Sequence, residues 1–491
     1  MTNVADRRKA LVAVDLGAQS CRVSLLRWHG DEAAIEVVHR FANAPVMMDG
    51  GLRWNLEAIV AGVIAGLKAC AARAPEGIAS FGVDGWAVDY VRVDACGKPV
   101  AAPYCYRDAR TERAESEVHA KLPPSRLYAL TGIQILRLNT LYQLYADKLA
   151  GFDMHLPWMN LPEYISYRLS GRRVSEYTNA THTGLVALGT HTWCDEVFRE
   201  LKLDREAAPE IVPSGTVLGA VQAERLGLEG FEETRVIAPA CHDTASAIAG
   251  IPARGDDWAF ISSGTWSLVG TVLDSPCVSA EAREKNFTNL GGVGNRICFL
   301  KNVNGMWILQ QCMEEWRALG ANWPLAELLA QCRSVPAPEA LLDIDAPPLM
   351  IPGDAIGKIN AQLEQQGRRP FARDATSAPA IANTILHSMA ARYAEVLSWI
   401  GKITGETLRR VYIAGGGSKN ELLNRLTEER SGLEVICASP ESTTIGNFAV
   451  QLAAGERDFK PRKGVTAESA AKWAERLSAV ALTANEADEV R

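Results

Sequence analysis

Two short stretches of the chain repeat each other at a distance of about half its length. In the first, Gly17 and Ser20 follow an apolar run, and in the second, Gly264 and Ser267 do so in the same order. The offset is the same for both pairs, since 264 − 17 = 267 − 20 = 247. A chain of 491 residues is long enough for two or three domains with separate cores. The repeat therefore predicts two related half-molecules.

Each stretch is predicted to be a hairpin that can hold phosphate. Residues 10–28 have the pattern of a strand, a tight turn and a second strand, and residues 258–271 repeat it. Gly17 can adopt a positive φ, so that successive backbone N–H groups converge on an anion, while Asp15 can hold the water shell of a divalent cation. An ordinary hairpin with an Asx turn explains the first stretch equally well.

An acidic residue near the middle of the chain is the candidate for proton transfer. Asp243 follows the strand-like run 236–239 and opens a helical run of small residues that ends at Gly250. A carboxylate at a helix N-terminus that faces a cleft can accept a proton. The sequence therefore predicts Asp243 as a general base.

Three other stretches have both a functional and a structural interpretation. Gly85 permits close backbone approach and Trp86 offers an apolar face to a sugar ring, although an isolated Trp is more often packed in a core. The charged stretch 104–111 is either part of a site or a surface ion-pair cluster. The hydroxyl-rich stretch 177–184 either lines a polyol pocket or forms a solvated loop.

A run of three glycines, 415–417, lies between a predicted strand at 411–414 and a predicted helix. This arrangement lets the backbone approach a flat ligand at the helix N-terminus, or it is a bare tight turn. No Gly-Lys-Ser/Thr sequence follows, so the run is not a Walker A loop. Among the other helices, the pattern predicts one at 136–149, one at 161–169 and a long one at 377–403.

Composition excludes several classes of partner. The formal net charge is −7 and no dense Lys/Arg block occurs, so neither nucleic acid nor an anionic membrane surface is expected as a partner. A small molecule is the expected partner. The 11 cysteines are scattered without CxxC pairs or metal-ligand spacing, which is typical of reduced thiols. No signal peptide is visible, and the most apolar stretch, 58–72, is too short to span a bilayer. We therefore expect a cytoplasmic protein.

Taken together, these motifs resemble those of the FGGY carbohydrate kinases, which have the actin-like ATPase fold. The likeness covers nearly the whole chain, and the order and spacing of the motifs make it specific. They lie at 14–18, 83–86, 106–111, 176–181, 242–247, 262–268, 301–302 and 415–417.

The resemblance implies an α/β fold with two actin-like, ribonuclease H-like ATPase domains and a cleft between them. The N-terminal domain would span 1–245 on the sugar and phosphate side, and the C-terminal domain 246–480 on the ATP side. A frayed tail would follow at 481–491. The expected assembly is a monomer or a homodimer.

The resemblance also implies ATP-dependent phosphorylation of a sugar in the presence of Mg²⁺. The implied acceptor is the 1-hydroxyl of a 6-deoxy-ketohexose, L-rhamnulose first, with L-fuculose or another ketose or pentulose as the alternative. A non-catalytic sugar sensor on the same fold is a further alternative. Both carboxylates that a decayed kinase could lose, Asp15 and Asp243, are present.

By the same resemblance, Asp243 is the proton acceptor and Asp15 helps to position Mg²⁺. The implied sugar-binding residues are Gly85, Trp86, Ala87, His242, Asp243, Thr244 and Asn302. The implied ATP-binding residues are Ala18, Gln19, Ser20, Cys21, Arg22, Thr265, Gln310, Gly415, Gly416 and Gly417. Cys21 and Ala87 stand where L-rhamnulose kinases of the family usually have Gly. The added methyl group of Ala87 lies in a site that distinguishes sugar stereochemistry.

Overall fold

The computed structural model describes residues 8–456, 464–480 and 482–484. The chain forms two compact units. The first takes Met1–Pro252, Val272–Phe299 and Glu441–Arg491, and the second takes Ala253–Thr271 and Leu300–Pro440. The domain boundary expected between residues 245 and 246 stays a prediction, and the tail expected at 481–491 lies outside the described residues except for a strand at 482–484.

Strands and helices alternate along much of the chain. The strands are β1 (Ala10–Leu16), β2 (Ser20–His29), β3 (Glu32–Ala42), β4 (Pro45–Met48), β5 (Gly51–Trp54), β6 (Ile78–Gly85), β7 (Tyr90–Arg92), β8 (Trp158–Asn160), β9 (Val174–Glu176), β10 (Glu210–Val212), β11 (Thr216–Ala220), β12 (Arg235–Ala238), β13 (Trp258–Ser263), β14 (Trp266–Leu273), β15 (Thr288–Gly291), β16 (Ile297–Asn304), β17 (Arg410–Ala414), β18 (Glu434–Cys437) and β19 (Leu482–Ala484). The helices are α1 (Leu56–Arg73), α2 (Thr111–Lys121), α3 (Pro124–Thr131), α4 (Thr140–Leu149), α5 (Leu161–Ser170), α6 (Tyr177–His182), α7 (Asp195–Leu201), α8 (Ala223–Leu226), α9 (Asp243–Ala249), α10 (Ala280–Glu284), α11 (Trp307–Ala318), α12 (Leu325–Cys332), α13 (Ala355–Gln365), α14 (Ala378–Thr404), α15 (Glu421–Ser431), α16 (Ser442–Gly455) and α17 (Ala467–Ser478).

The two main sheets repeat one strand order. The first sheet contains the run β3-β2-β1-β6-β12, and the second contains the run β16-β14-β13-β17-β18. In each run, one strand of an antiparallel hairpin is followed by two parallel neighbours. The hairpin that repeats in the sequence therefore has the same place in both sheets, as expected for two related half-molecules.

Strand β1 is buried on both faces of the first sheet. Val12 and Val14 belong to a core shared with α1 and α5, while Leu11 and Ala13 belong to a core shared with α16. Because successive side chains of a strand point to opposite faces, a strand covered by helices on both sides is an unbroken apolar run. For this reason Asp15 stands out in the sequence as a charged residue at the end of an apolar run.

Helix α9 is fixed by backbone contact with α16. A Cβ atom on Gly250 would lie 2.1 Å from the carbonyl oxygen of Ser442, and one on Gly446 would lie 1.8 Å from that of Ser246. Neither helix accepts a side chain at these positions, which explains the small residues that the sequence places after Asp243.

No described helix is both long enough and apolar enough to cross a membrane.

Most predicted helices lie close to their expected bounds. The long helix expected at 377–403 is Ala378–Thr404, and the one expected at 161–169 is Leu161–Ser170. The helix expected at 136–149 begins only at Thr140. The difference arises because Asn139 closes a local turn, in which its side-chain oxygen accepts a hydrogen bond from the N–H of Leu136 at 3.0 Å.

Candidate active site

Three of the predicted motifs meet at one edge of the first sheet. Strands β1, β6 and β12 are parallel neighbours, so their carboxyl ends share that edge. The N–H of Trp86 donates to the carbonyl oxygen of Leu16 at 3.1 Å, and the N–H of Gly85 donates to that of Cys241 at 3.0 Å. Backbone hydrogen bonds thus connect the first hairpin, the stretch at Gly85 and the start of α9.

The turn of the first hairpin is held by Asn43, which the sequence analysis missed. The side-chain amide of Asn43 donates to the carbonyl oxygen of Gly17 at 3.0 Å, and its backbone N–H donates to that of Gln19 at 2.9 Å. Because these two carbonyl oxygens accept hydrogen bonds from Asn43, the groups that the turn can offer to an anion are its backbone N–H groups. The φ of Gly17 is not positive, which corrects the expectation. Glycine is needed there because a Cβ would lie 2.4 Å from the carbonyl oxygen of Ser20.

Cys21 points into the protein from the end of this turn. Its side chain is fully buried, and its thiol donates to the carbonyl oxygen of Gly17 at 3.6 Å. Burial raises the pKa of the Cys21 thiol to about 12, so the thiol stays neutral. Cys21 can therefore contribute to the predicted phosphate turn through its backbone alone.

One arginine lies among four carboxylates beside this turn. Arg22 is opposite Asp15 across the hairpin, with Nε 2.9 Å from Oδ2, and it also pairs with Glu441. Asp84 is the neighbour of Asp15 on β6. Burial raises the pKa of both Asp15 and Asp84, and the charge of Asp243 raises each of them further. The positive charge of the Arg22 guanidinium therefore offsets part of the negative charge of these carboxylates.

Asp243 is the first residue of α9, and its side chain is 34% exposed. The hydroxyl of Thr244 donates to Oδ1 at 3.2 Å, and Nε2 of His242 lies 3.4 Å from the same oxygen. Burial raises the pKa of Asp243 to about 6, although the hydrogen bonds from Thr244 and the charge of Arg22 lower it. The carboxylate is therefore both accessible and deprotonated at neutral pH, as a general base must be.

Two buried histidines lie next to Asp243. The rings of His182 and His242 pack edge to face with centroids 4.7 Å apart, and burial lowers the pKa of each to about 3. Within the described part of the chain, Nδ1 of neither ring has a hydrogen-bond partner. Neutral imidazoles with free nitrogens can exchange hydrogen bonds with hydroxyl groups. His182 ends α6, which is buried throughout, so the interpretation of 177–184 as a solvated loop is wrong.

A buried carboxylate positions the segment that leads to Asp243. Oε2 of Glu176 accepts a hydrogen bond from the N–H of Cys241 at 2.9 Å, and Oε1 accepts one from the hydroxyl of Ser214 at 2.6 Å. Thr178 also donates to Glu176 through its hydroxyl, whose oxygen accepts the N–H of His242 at 3.2 Å. Glu176 belongs to one of the family-like motifs, but its positioning role could not be predicted, because Ser214 and Cys241 are 38 and 65 residues away in sequence.

Trp86 is a core residue. Its side chain is 6% exposed, packs on Trp54 with ring centroids 4.5 Å apart, and donates through Nε1 to Asp89 at 3.0 Å. The indole face is therefore not open to a sugar ring. Val88, two residues later, has a φ of 71°, which is strained for a β-branched residue and is found most often near functional sites.

Glu163 lies behind Glu176 and is also buried. It accepts hydrogen bonds from the N–H of Glu176 at 3.0 Å and from Nδ2 of Asn179 at 2.9 Å. Burial raises the pKa of Glu163 to about 8, so this side chain is protonated at neutral pH. Oδ1 of Asn179 has no partner within 8–456 and 464–480, and it can accept a hydrogen bond from the protonated carboxyl of Glu163 if the amide is turned over.

Replacing Glu163 with Gln is expected to make the stability of the fold less dependent on pH. The wild-type carboxyl keeps its proton up to about pH 8 when folded but loses it near its ordinary value of 4.5 when unfolded. This contribution to stability is therefore full below about 4.5 and is lost as the pH rises through about 8. Gln cannot ionise, so the unfolding free energy of the variant should increase relative to that of the wild type as the pH rises. Urea unfolding at mildly acidic and mildly basic pH measures the difference.

The exposed residue Glu229 offers a matched control for this comparison, since it is on the surface of the same unit. Glu229→Gln should leave the pH dependence of the unfolding free energy unchanged. Parallel stability curves for the wild type and Glu163→Gln would contradict a protonated Glu163.

In the second unit, several predicted ATP-binding residues surround the turn of the second hairpin. The N–H of Trp307 donates to the carbonyl oxygen of Thr265 at 3.2 Å, which fastens the start of α11 on that turn. Gln310 lies one helical turn later, and its Oε1 is buried without a partner among the described residues. An unpaired buried acceptor beside this turn is a candidate ligand contact. Asn302 is half-buried on β16.

The three glycines lie against the end of β13, because β13 and β17 are parallel neighbours. Gly415 has a φ of +78°, and a Cβ on Gly417 would lie 2.0 Å from the hydroxyl oxygen of Ser263. A Cβ on Gly416 would meet nothing within 4 Å. The backbone is therefore packed tightly on one side of the turn and open on the other, as a surface for a flat ligand requires.

Adding a methyl group at Gly417 is expected to weaken ATP binding, whereas the same change at Gly416 is not expected to move the backbone. Gly417→Ala must displace the turn from Ser263 and should raise the KM for ATP by about tenfold while changing the KM for sugar little. Gly416→Ala is the matched control for stability and backbone geometry. Equal KM values for ATP in Gly417→Ala and the wild type would argue against this turn as part of the nucleotide site.

No group of three or more His, Cys, Asp or Glu side chains in the described ranges is arranged to hold a metal ion by itself. The buried Oδ1 of Asp84 nevertheless lacks a hydrogen-bond partner within those ranges, and Asp15 is its neighbour across the sheet. Mg²⁺ usually keeps several waters and binds only one or two carboxylates together with substrate phosphates. The pair therefore fits a hydrated Mg²⁺. Asp84 was not predicted as a metal-site residue, although a charged residue inside a buried parallel strand is a recognisable signal of a functional site.

Comparison with known proteins extends over both halves of the chain. The N-terminal domain of the FGGY family of carbohydrate kinases matches residues 10–250, and the C-terminal domain of that family matches residues 259–455. The rhamnulokinase of Enterococcus faecalis is 34% identical over 453 residues, which cover 91% of this chain and 90% of that protein. The rhamnulokinase of Pectobacterium atrosepticum is 36% identical over 456 residues, which cover 91% and 88%.

Solved structures of sugar kinases share the fold. A ligand-bound xylulose kinase from Lactobacillus acidophilus has a TM-score of 0.73 at 16% identity and covers 96% of each chain. A glycerol kinase from Plasmodium falciparum with ADP has a TM-score of 0.71 at 14% identity and covers 97% of this chain and 95% of that one. These likenesses confirm the expected two-domain α/β fold of the actin-like ATPases. Together with the matches over residues 10–250 and 259–455, they show that this chain belongs to the FGGY family of carbohydrate kinases.

Proposed function

We propose that this carbohydrate kinase transfers the γ-phosphoryl group of ATP to the 1-hydroxyl of L-rhamnulose. The observation that carries the chemistry is Asp243, an accessible carboxylate with a pKa of about 6 beside the phosphate-holding hairpin. The rhamnulokinases that are 34% and 36% identical to this chain support the choice of sugar.

The chain's own residues have distinct roles in this proposal. Phosphoryl transfer proceeds mainly by positioning and charge neutralisation, and the base is needed late. Asp243 takes the proton of the sugar hydroxyl, while the hairpin N–H groups and Arg22 stabilise the phosphoryl oxygens. Mg²⁺, when bound near Asp15 and Asp84, adds positive charge opposite the phosphates.

The sugar is held by groups around Asp243. The neutral rings of His242 and His182 and the hydroxyl of Thr244 supply hydrogen bonds to sugar hydroxyls. Because a site that hydrogen-bonds a hydroxyl strongly rejects analogues without it, such groups determine which ketose is accepted. The nucleotide is held on the second unit by Thr265, Gln310 and the three glycines.

The proposal is tested by measuring ADP release with L-rhamnulose, L-fuculose, D-xylulose and L-ribulose. The highest kcat/KM should be obtained with L-rhamnulose, and ³¹P–¹H NMR of the product should place the phosphate on the 1-hydroxyl. A higher kcat/KM for another ketose would reassign the substrate. A phosphate on a different hydroxyl would contradict the proposed orientation of the sugar at Asp243.

A further inference from the structure

The segment that follows strand β6 contains a strained residue. Val88 is buried and has a φ of 71°, a backbone conformation that a β-branched residue rarely adopts. Such conformations persist only where neighbouring groups fix them, and they are concentrated at binding and catalytic sites. The segment begins beside the candidate active site, because Gly85 pairs with His242 and its N–H donates to the carbonyl oxygen of Cys241 at 3.0 Å. The strained residue is therefore close to the strand end that adjoins Asp243.

The carbonyl group of Val88 is fixed by helix α4. The hydroxyl of Thr140 donates to this oxygen at 2.7 Å, and Nε2 of Gln143 donates to it at 3.3 Å. Both donor side chains are buried. Because a carbonyl oxygen has two lone pairs, these two hydrogen bonds satisfy it and fix the peptide group that follows Val88. Helix α4 therefore holds one end of the strained segment.

The buried carboxylate of Asp89 connects the two ends of the same segment. Its Oδ1 accepts a hydrogen bond from Nε2 of Gln143 at 3.0 Å. Its Oδ2 accepts from the indole N–H groups of Trp54 at 2.6 Å and Trp86 at 3.0 Å. Several hydrogen bonds of this kind compensate a carboxylate for its burial. Because Trp86 precedes the strained residue and Asp89 follows it, the segment is anchored on both sides.

Two backbone N–H groups between these anchors lack a backbone acceptor. The N–H of Trp86 donates to the carbonyl oxygen of Leu16 at 3.1 Å, but those of Ala87 and Val88 donate to no backbone carbonyl oxygen in the described part of the chain. Both residues are buried, with exposed fractions of 7% and 3%. Buried N–H groups almost always have a partner in folded proteins, so a ligand is expected to supply the acceptor.

We propose that three buried side chains act together as positioning residues for the sugar: Thr140, Gln143 and Asp89. They hold Val88 in its strained conformation, so that the N–H groups of Ala87 and Val88 are offered to an oxygen of the sugar at Asp243. The three side chains act through the backbone and do not contact the sugar. This inference rests on the proposed function, since it takes the sugar as the ligand.

The strain at Val88 makes these hydrogen bonds important for binding. A strained segment relaxes when a group that fixes it is removed. Binding of the sugar must then restore the original conformation, and the free energy of that change is subtracted from the affinity. The loss of one positioning hydrogen bond should therefore weaken sugar binding without affecting the nucleotide.

The proposal is tested with Thr140→Val in the full chain, which removes the hydroxyl donor and keeps the shape of the side chain. The Kd for the sugar, measured by calorimetric titration, and the KM for the sugar should each rise about fivefold, while kcat and the KM for ATP change little. Thr140→Ser retains the hydroxyl and should have a Kd close to that of the wild type. The titrated sugar is the ketose with the highest kcat/KM, so an error in the proposed substrate does not alter this test.

Thr234→Val is the matched control. Thr234 is also fully buried, and its hydroxyl donates to a backbone carbonyl oxygen, that of Ile78, at 2.8 Å. Ile78 begins strand β6, whereas the strained segment follows the end of that strand. The control should lose about as much unfolding free energy as Thr140→Val but keep the wild-type Kd for the sugar. A general loss of stability can then be separated from a loss of positioning.

Asp89→Asn tests a different part of the network. The amide oxygen of Asn can still accept from the two indole N–H groups, but its amide nitrogen then meets Nε2 of Gln143, and two donors cannot form a hydrogen bond. Turning the Gln143 amide over would instead remove its hydrogen bond to Val88. The Kd for the sugar should therefore rise in this variant too.

A raised Kd for the sugar in Asp89→Asn, with the wild-type Kd in Thr234→Val, would support the proposal even if Thr140→Val failed to fold. The proposal would be overturned if folded Thr140→Val or folded Asp89→Asn bound the sugar as tightly as the wild type. An equal rise of the KM values for sugar and for ATP would overturn it as well, since the effect would then be a general one on the structure.

Discussion

Replacing Asp243 with Asn is expected to lower kcat by about 10²–10⁴-fold, the usual contribution of a general base. Asn has the same shape and still accepts the hydrogen bond from Thr244, which lies 3.2 Å from Oδ1. It cannot take the proton of the sugar hydroxyl at neutral pH. The loss should therefore appear in kcat, whereas the Kd for the sugar should change little.

The measurement combines ADP release under saturating substrates with calorimetric binding of the sugar. Asp274→Asn is the control, because Asp274 is an acid of the same unit whose side chain is 86% exposed. It should leave both kcat and sugar binding unchanged. Near-normal turnover in Asp243→Asn would remove Asp243 from its role as base.

The features that were predicted correctly depend on local sequence patterns. The hairpin at Gly17, the helix start at Asp243 and the turn at the glycine run are each encoded within about ten residues, because turn chemistry and strand burial are local. The first hairpin, the stretch at Gly85 and the start of α9 meet at one sheet edge because β1, β6 and β12 are parallel neighbours. The family resemblance added the reaction, which no single motif specified.

The charge environment could not be predicted, because its members are far apart in sequence. Arg22 pairs with Glu441, 419 residues later, and Asp84 accepts a hydrogen bond from Asn447 on α16 at 2.5 Å. Arg110 binds Asp147, which is 37 residues away and buried. Only the folded chain shows that these charges are inside the protein rather than on a solvated surface.

Trp86 illustrates the opposite case, in which the commoner structural interpretation is the right one. An isolated Trp in a strand-like segment is usually a core residue, and Trp86 packs on Trp54. The strained φ of Val88 shows no sign in the sequence, because Val is an ordinary strand residue and its conformation is imposed by tertiary contacts. The carbonyl oxygen of Val88 accepts from Thr140 at 2.7 Å, which helps to hold that conformation.

Arg22→Gln is expected to reduce stability and to change the pH dependence of catalysis together. Arg22 is the cation between Asp15 and Glu441, so its loss removes the guanidinium that pairs with both carboxylates. Removal of one partner from such a pair costs about 3 kcal/mol or more of unfolding free energy. Urea unfolding at neutral pH measures this loss.

The pH effect separates a catalytic role from a merely structural one. Turnover of the wild type should fall as the pH drops through about 6, because Asp243 becomes protonated there. The positive charge of Arg22 favours the carboxylate form and lowers the pKa of Asp243, so removing that charge must raise this pKa. The acidic limb of the kcat profile should therefore move to higher pH in Arg22→Gln.

Arg27→Gln is the matched control, because Arg27 lies on the same strand and pairs with Glu76 at 2.6 Å. That variant can lose some stability, but its acidic limb should stay where it is in the wild type. A limb that does not move in Arg22→Gln would show that the charge of Arg22 does not act on the base. The destabilisation alone would then be structural, and the role of Arg22 would be confined to holding Asp15 and Glu441.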